Sequence, residues 1–158
     1  MRLIVRAGAV LGGSCLAMLV GCASTVPASP VGTTATAAAV DLTVRVVGAA
    51  SEGGWIAVAV YGSPESFADR RDPVAAARLA VAGGAALWRS PRLPPGRYAV
   101  AAYHDADGDG ELDRSVVGVP TEPYGFSNDA RGRFGPPAFD DAVVELGGGA
   151  TELEINLR

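Results

Sequence analysis

Five carboxylates fall within nine residues at 105–113 (DADGDGELD), with no base among them. Asp105, Asp107 and Asp109 stand at alternate positions, followed by Gly110, Glu111 and Asp113. Alternate residues of a tight loop aim at one centre, and a glycine after the third lets the chain bend sharply. Against the calcium-loop template D-x-D-x-D-G, the three aspartates take positions 1, 3 and 5 and Gly110 takes position 6. Glu111 then offers its main-chain carbonyl at position 7, and Asp113 an acid at position 9. Every donor is a hard oxygen, and neither a thiolate nor a second histidine competes, so Ca²⁺ is the cation expected. The template's twelfth position wants a bidentate glutamate, and Val116 stands there. The spacing therefore predicts a DxDxDG loop with an incomplete shell, to be filled by Asp140, Asp141 or water, with affinity of about 10⁻⁴–10⁻³ M. The plain alternative is a solvated acidic turn whose charges repel one another.

Other chemistry finds less support. His104 is the only histidine, which excludes a two-histidine zinc site, and a histidine at a strand end commonly bonds a neighbouring loop. A Ser127–His104–Asp triad has no nucleophile elbow to carry it. A hydrolase built on Asp140 and Asp141 with His104 fails for another reason: neighbours on a strand point to opposite faces. The chain is expected not to be an enzyme. A second candidate surface is the segment 124–141, too long for a passive connector. Tyr124, Phe126 and Phe134 are spaced among glycines, with Arg131 and Arg133 between them. One reading is an aromatic, arginine-lined surface for a glycan, small ligand, peptide or envelope polymer. The other is an Ω-type loop whose aromatics, Phe139 included, plug the end of the fold, its arginines pairing with Asp129, Asp140 or Asp141.

These side chains need a frame, and alternation predicts one. Residues 42–47 alternate apolar and polar, and residues 55–61 (WIAVAVY) are apolar on both faces, as a central strand would be. Residues 63–67 (SPESF) predict a short capped helical turn with Phe67 inward. Further strands are expected at 78–81, 85–89, 97–104, 115–119, 142–146 and 152–157, separated by glycine and proline turns. The strand 97–104 leaves the tight turn Leu93-Pro94-Pro95-Gly96 and runs directly into the acidic loop. No long amphipathic helix and no repeat interrupts this pattern. It predicts an all-β domain: an antiparallel sandwich of about seven strands with one long structured loop.

Residues 1–21 read as an export signal. Arg2 and Arg6 precede an apolar run too short to span a bilayer comfortably. The run ends Leu19-Val20-Gly21-Cys22, which resembles the bacterial lipobox, where the cysteine thiol is acylated and becomes the first residue. That resemblance implies a lipid anchor at Cys22, a lipoprotein of the outer membrane and a cell-envelope, periplasm-facing or surface location. Loss of Arg2 and Arg6 takes the formal charge from −4 to −6. No basic stripe is visible, so nucleic acid is excluded as a partner. Cys15 leaves with the signal and Cys22 is committed to lipid, so the folded part has no thiol for a disulfide or a nucleophile. Residues 22–40 are uncharged, rich in Ala, Ser, Thr and Pro, and read as a flexible tether of roughly 20–25 Å. The folded domain is 41–158.

The turn and strand LPPGRYAV resemble those of Cna-B-type and carboxypeptidase-regulatory-type modules, which implies an immunoglobulin-like or prealbumin-like sandwich. WIAVAVY, LPPGRYAVAAYHDADGDGELD and YGFSNDARGRFGPPAFDDA together resemble a bacterial family catalogued as domain of unknown function 2141. That resemblance implies exported β-sandwich proteins without an assigned activity. The family's acidic loop often carries asparagine where this chain has Asp107 and Asp109.

The first expectation to test is the anchor. Metabolic labelling with a palmitate analogue is expected to mark the wild-type chain and to leave Cys22→Ser unlabelled; equal labelling of both would exclude acylation at Cys22.

Overall fold

Alternation at residues 42–47 fixes which side chains meet. In the computed structural model, which describes residues 39–133 and 135–158, β1 (Leu42–Val47) buries Leu42, Val44 and Val46 and turns Thr43, Arg45 and Val47 outward. The signal segment, Cys22, the tether up to residue 38 and Phe134 lie outside the described residues. The remaining elements in order are β2 (Trp55–Tyr61), α1 (Pro64–Asp69), β3 (Ala75–Ala80), β4 (Ala85–Arg89), β5 (Gly96–Asp105), β6 (Tyr124–Phe126), a 3₁₀ turn (Ser127–Asp129), α2 (Phe139–Ala142), β7 (Val143–Leu146) and β8 (Thr151–Asn156).

The strands form two facing sheets. One has the order β4-β1-β8, and the other β3-β2-β5-β6, with β7 also on β5. Between them lie Val44, Val46, Ile56, Val58, Val60, Trp88, Val100 and Ile155, all buried. Each such side chain contributes roughly 1.5–3 kcal/mol by leaving water. Tyr98 closes one end of this core and donates its hydroxyl to the Pro94 carbonyl. The expected all-β sandwich is thus present, with eight strands. One pairing departs from the antiparallel expectation: β1 and β8 run parallel, Leu42 opposite Thr151 through Val47 opposite Asn156. Parallel neighbours need a long crossover, and here the rest of the domain supplies it.

Two local expectations are corrected. Residues 115–119 form no strand. Gly118 N–H bonds the Ser115 carbonyl and Ser115 N–H the Val119 carbonyl, making a hairpin tip on which Val116, Val117 and Val119 are exposed. Their apolar character suggested a strand, but the edge of β5 is already occupied by β6 and β7. The strand expected at 78–81 lies at Ala75–Ala80, in register with Trp55 to Val60 of β2. The helical turn at Pro64 is as expected: the Ser63 hydroxyl accepts from Ser66 N–H at 3.2 Å, and Phe67 is buried.

β5 is buried on both faces, so each of its N–H groups needs a partner. β2 serves one edge. The other edge is shared: β7 pairs Gly96 to Ala99, and β6 pairs Ala101 to Tyr103. Val100 falls in the gap. Its N–H donates to the Ser127 hydroxyl at 3.0 Å, and that hydroxyl donates in turn to the Ala142 carbonyl. One serine thus joins the end of β6 to the start of β7. Beyond the gap, His104 N–H bonds the Pro123 carbonyl.

Ser127→Ala is expected to strand a buried N–H and cost about 1–3 kcal/mol. Urea denaturation checks this, with an unchanged circular-dichroism spectrum of the folded state.

Candidate functional site

Strand parity decides what the outer face of the larger sheet presents. With Ile56, Val58, Val60, Val100 and Ala102 in the core, Ala57, Ala59 and Tyr61 of β2 and Ala99, Ala101 and Tyr103 of β5 face the other way. Part of that face is covered. Phe67 of α1, Phe126 and Phe139 form a cluster with Tyr61, the ring centres of Phe67 lying 5.7 Å from those of Tyr61 and Phe126 and 5.9 Å from that of Phe139, all edge to face. Such pairs add about 0.5–1.5 kcal/mol each beyond burial. The segment 124–141 therefore plugs a sheet face rather than the end of the sandwich.

The uncovered part is a groove of about 580 Å³. Its floor follows from the register: Ala76, Ala59 and Ala101 lie side by side across β3, β2 and β5, with Phe126 next in the row. Methyl groups between rings leave a trough. The neighbouring row runs Arg78, Ala57, Tyr103, Tyr124. Gly110, Glu111 and Leu112 of the acidic loop form one wall, and Arg70 and Arg114 also line the space.

The loop hangs from a buried carboxylate. Asp105 has no exposed surface; its two oxygens accept from Gly108 N–H at 2.8 Å and Gly110 N–H at 3.1 Å, and one of them also meets Arg78 Nη2 at 2.5 Å. Asp107 accepts from Asp109 N–H and Asp109 from Glu111 N–H, so each aspartate caps the next step of the chain. Gly110 sits at φ 90°, as the bend requires. Carboxylate oxygens of Asp105, Asp107 and Asp109 lie within 4.8 Å of one another. That fits inside the width of a calcium shell, twice a bond of about 2.3–2.6 Å. Glu111 and Asp113 are exposed and stand outside that trio. The Asp113 carboxyl is pushed above the usual carboxylate range by partial loss of water and then by the charges of Asp107, Glu122, Asp109 and Asp105.

Sequence reasoning missed Glu122. It is buried, and its two oxygens accept from Ala106 N–H at 2.7 Å and Asp113 N–H at 3.0 Å, pinning both ends of the loop together. An acid between Thr121 and Pro123 carries no local signal for this role. Asp140, expected to help complete the shell, instead pairs with Arg97 at 2.7 Å. Arg97 stands eight residues from Asp105 along β5, about 26 Å away at strand rise. Val116 is exposed on its hairpin tip and withholds any twelfth-position ligand.

The other sequence candidates separate. His104 is buried; its Nδ1 accepts from Ala50 N–H at 3.2 Å, so Nε2 carries the proton and donates to the Gly53 carbonyl at 2.8 Å. It clasps the turn between β1 and β2. Ser127 is spent on Val100, about 13 Å along β5 from His104, so no triad assembles. Asp140 and Asp141 lie in α2, not on a strand. Tyr124 and Phe126 face the groove, whereas Arg131 and Arg133 are exposed, outside its lining, and in no ion pair among the described residues.

No curated protein and no solved structure matches the chain. One family does, over residues 44–154, and that span runs from β1 to β8 and takes in the loop, the groove and the serine at the strand gap. The chain belongs to the family described as "Uncharacterized protein conserved in bacteria (DUF2141)".

Proposed function

We propose that this protein is a lipid-anchored, non-enzymatic binding module of the bacterial envelope, which takes a small ligand in the groove on the outer face of its larger sheet. The observation that carries the reading is the row Ala76, Ala59, Ala101: three methyl groups where an ordinary solvent-facing strand would carry polar side chains. Concave, largely apolar spaces with a few polar groups at the rim are what ligand sites look like, and this one is within the usual size range. The lipid would supply the membrane attachment through Cys22. Among the described residues no helix is long and apolar enough to cross a bilayer. The chain enters the domain at Val40, paired with Leu93, at the end of the sandwich opposite the acidic loop.

Calcium has a supporting part in this reading. Ca²⁺ held by Asp105, Asp107 and Asp109, with the Glu111 carbonyl and an oxygen of Asp113, would offset the repulsion among these carboxylates and would stiffen the wall formed by Gly110, Glu111 and Leu112. It competes with Arg78 for Asp105, and no bidentate ligand is at hand, so affinity stays in the range of about 10⁻⁴–10⁻³ M.

Two measurements test this. Titration of ¹⁵N-labelled protein with 2-naphthamide, a neutral aromatic probe, is expected to shift the amides of Ala57, Ala59 and Ala101, and Ala101→Trp, which fills the trough, is expected to abolish the shifts. Shifts scattered over the whole domain, or none with either this amide or the carboxylate 2-naphthoate, would overturn the groove reading. Thermal melts in about 5–10 mM CaCl₂ against chelator are expected to show about 1–3 kcal/mol of stabilisation. Asp107→Ala/Asp109→Ala should abolish it and Mg²⁺ should fail to reproduce it; identical melts would return the loop to a solvated turn.

A further inference from the structure

The groove holds more positive charge than its own side chains balance. Arg70, Arg78, Arg114 and Glu111 are the charged residues that line it. Arg78 is committed to Asp105. Glu111 is exposed and meets no arginine among the described ion pairs. Three arginines against one acid line the groove, while burial and then the charges of Asp105, Glu122 and Asp109 raise the pKa of its Tyr103.

Arg70 is placed there by its backbone. It ends α1 in the left-handed conformation, φ 56° and ψ 35°, its N–H bonding the Ser66 carbonyl. Few residues other than glycine take that conformation. The turn brings the side chain back over the aromatic cluster. Nη1 donates to the Phe67 carbonyl, and the guanidinium carbon lies 4.2 Å from the centre of the Phe67 ring, 5.0 Å from Phe126 and 5.9 Å from Tyr61. Nη2 is sealed from water without an acceptor. No carboxylate stands within ion-pair distance of Arg70 among the described residues. Burial lowers its pKa; Tyr61 works against that shift, and Arg114 adds to it by repulsion. Ring faces return only part of what a cation loses with its water, and an arginine keeps its charge regardless.

Resting on the reading of the groove as a binding site, we propose that its ligand is a small organic anion: a flat apolar body with one carboxylate. The body lies on Ala57, Ala59 and Ala101 between the rings of Tyr103, Tyr124 and Phe126. The carboxylate sits between Arg70 and Arg114, supplying the negative charge that the protein withholds from them. Arg78, already neutralised by Asp105, takes no direct part. A neutral ligand of the same shape would leave Arg70 uncompensated, which gives the site its discrimination.

The test compares 2-naphthoate with its neutral isostere 2-naphthamide, on the mature chain from residue 22 carrying Cys22→Ser. Naphthoate is expected to bind at least about tenfold more tightly, with a preference that shrinks as salt is raised. Arg70→Met should remove the preference while naphthamide binding persists, and amide spectra report whether the variant is folded. Arg114→Gln, at an exposed position, should reduce the preference severalfold and carries the test if Arg70→Met does not fold. Equal binding of the two compounds, or a preference unchanged in the variants, would overturn the anion assignment and leave the groove standing. Binding of neither compound would overturn both.

Discussion

A strand buried on both faces must find a partner for every N–H, and β5 is that strand here. It is ten residues long, and the elements that flank its free edge are too short to cover it singly. Two strands therefore share the edge, and the Val100 N–H between them takes the Ser127 hydroxyl. The consequences spread outward. Residues 120–146 must pass β5 twice, once as β6 and once as β7, and the excursion between the passes carries Phe139 onto the outer face. That excursion covers one part of the face and leaves the alanine trough open beside it.

The same strand delivers the acidic loop. Asp105 is its last residue, so the parity that puts His104 on the core side puts Asp105 on the groove side. A buried carboxylate without a partner is costly, and the chain answers with two N–H groups and Arg78. Glu122 repeats the solution with Ala106 and Asp113. Two buried acids thus organise a loop whose remaining acids face water. The Asp113 carboxyl, pushed above the usual range, is among the exposed ones.

Sequence carried the frame well and the sites partly. Alternation placed β1 and β8, apolar runs bounded by turn residues placed β2, β4 and β5, and Ser63-Pro64 marked α1 through a capping bond made entirely within five residues. Spacing also brought Asp105, Asp107 and Asp109 together, since a tight loop encodes its own geometry. What stayed hidden depends on distant chain. Ala59 and Ala101 are ordinary strand residues until register sets them beside Ala76. Arg70 and Glu122 gain their roles from rings and amides far away in sequence. The valines near 117 misled because apolar character alone does not say whether a free sheet edge exists to receive them.

The parallel pairing of β1 with β8 has a consequence for assembly. Arg45 and Glu154, paired across these strands at 2.8 Å, are 109 residues apart. Contacts of such long range form slowly, because the loop must close before they give anything back. β1 is the middle strand of its sheet, bonded to β4 on one side and β8 on the other. β1 therefore waits for β8, and a nascent chain that has not yet made β8 holds a half-finished sheet whatever the rest has achieved. Folding completes along the seam where the two ends of the domain meet.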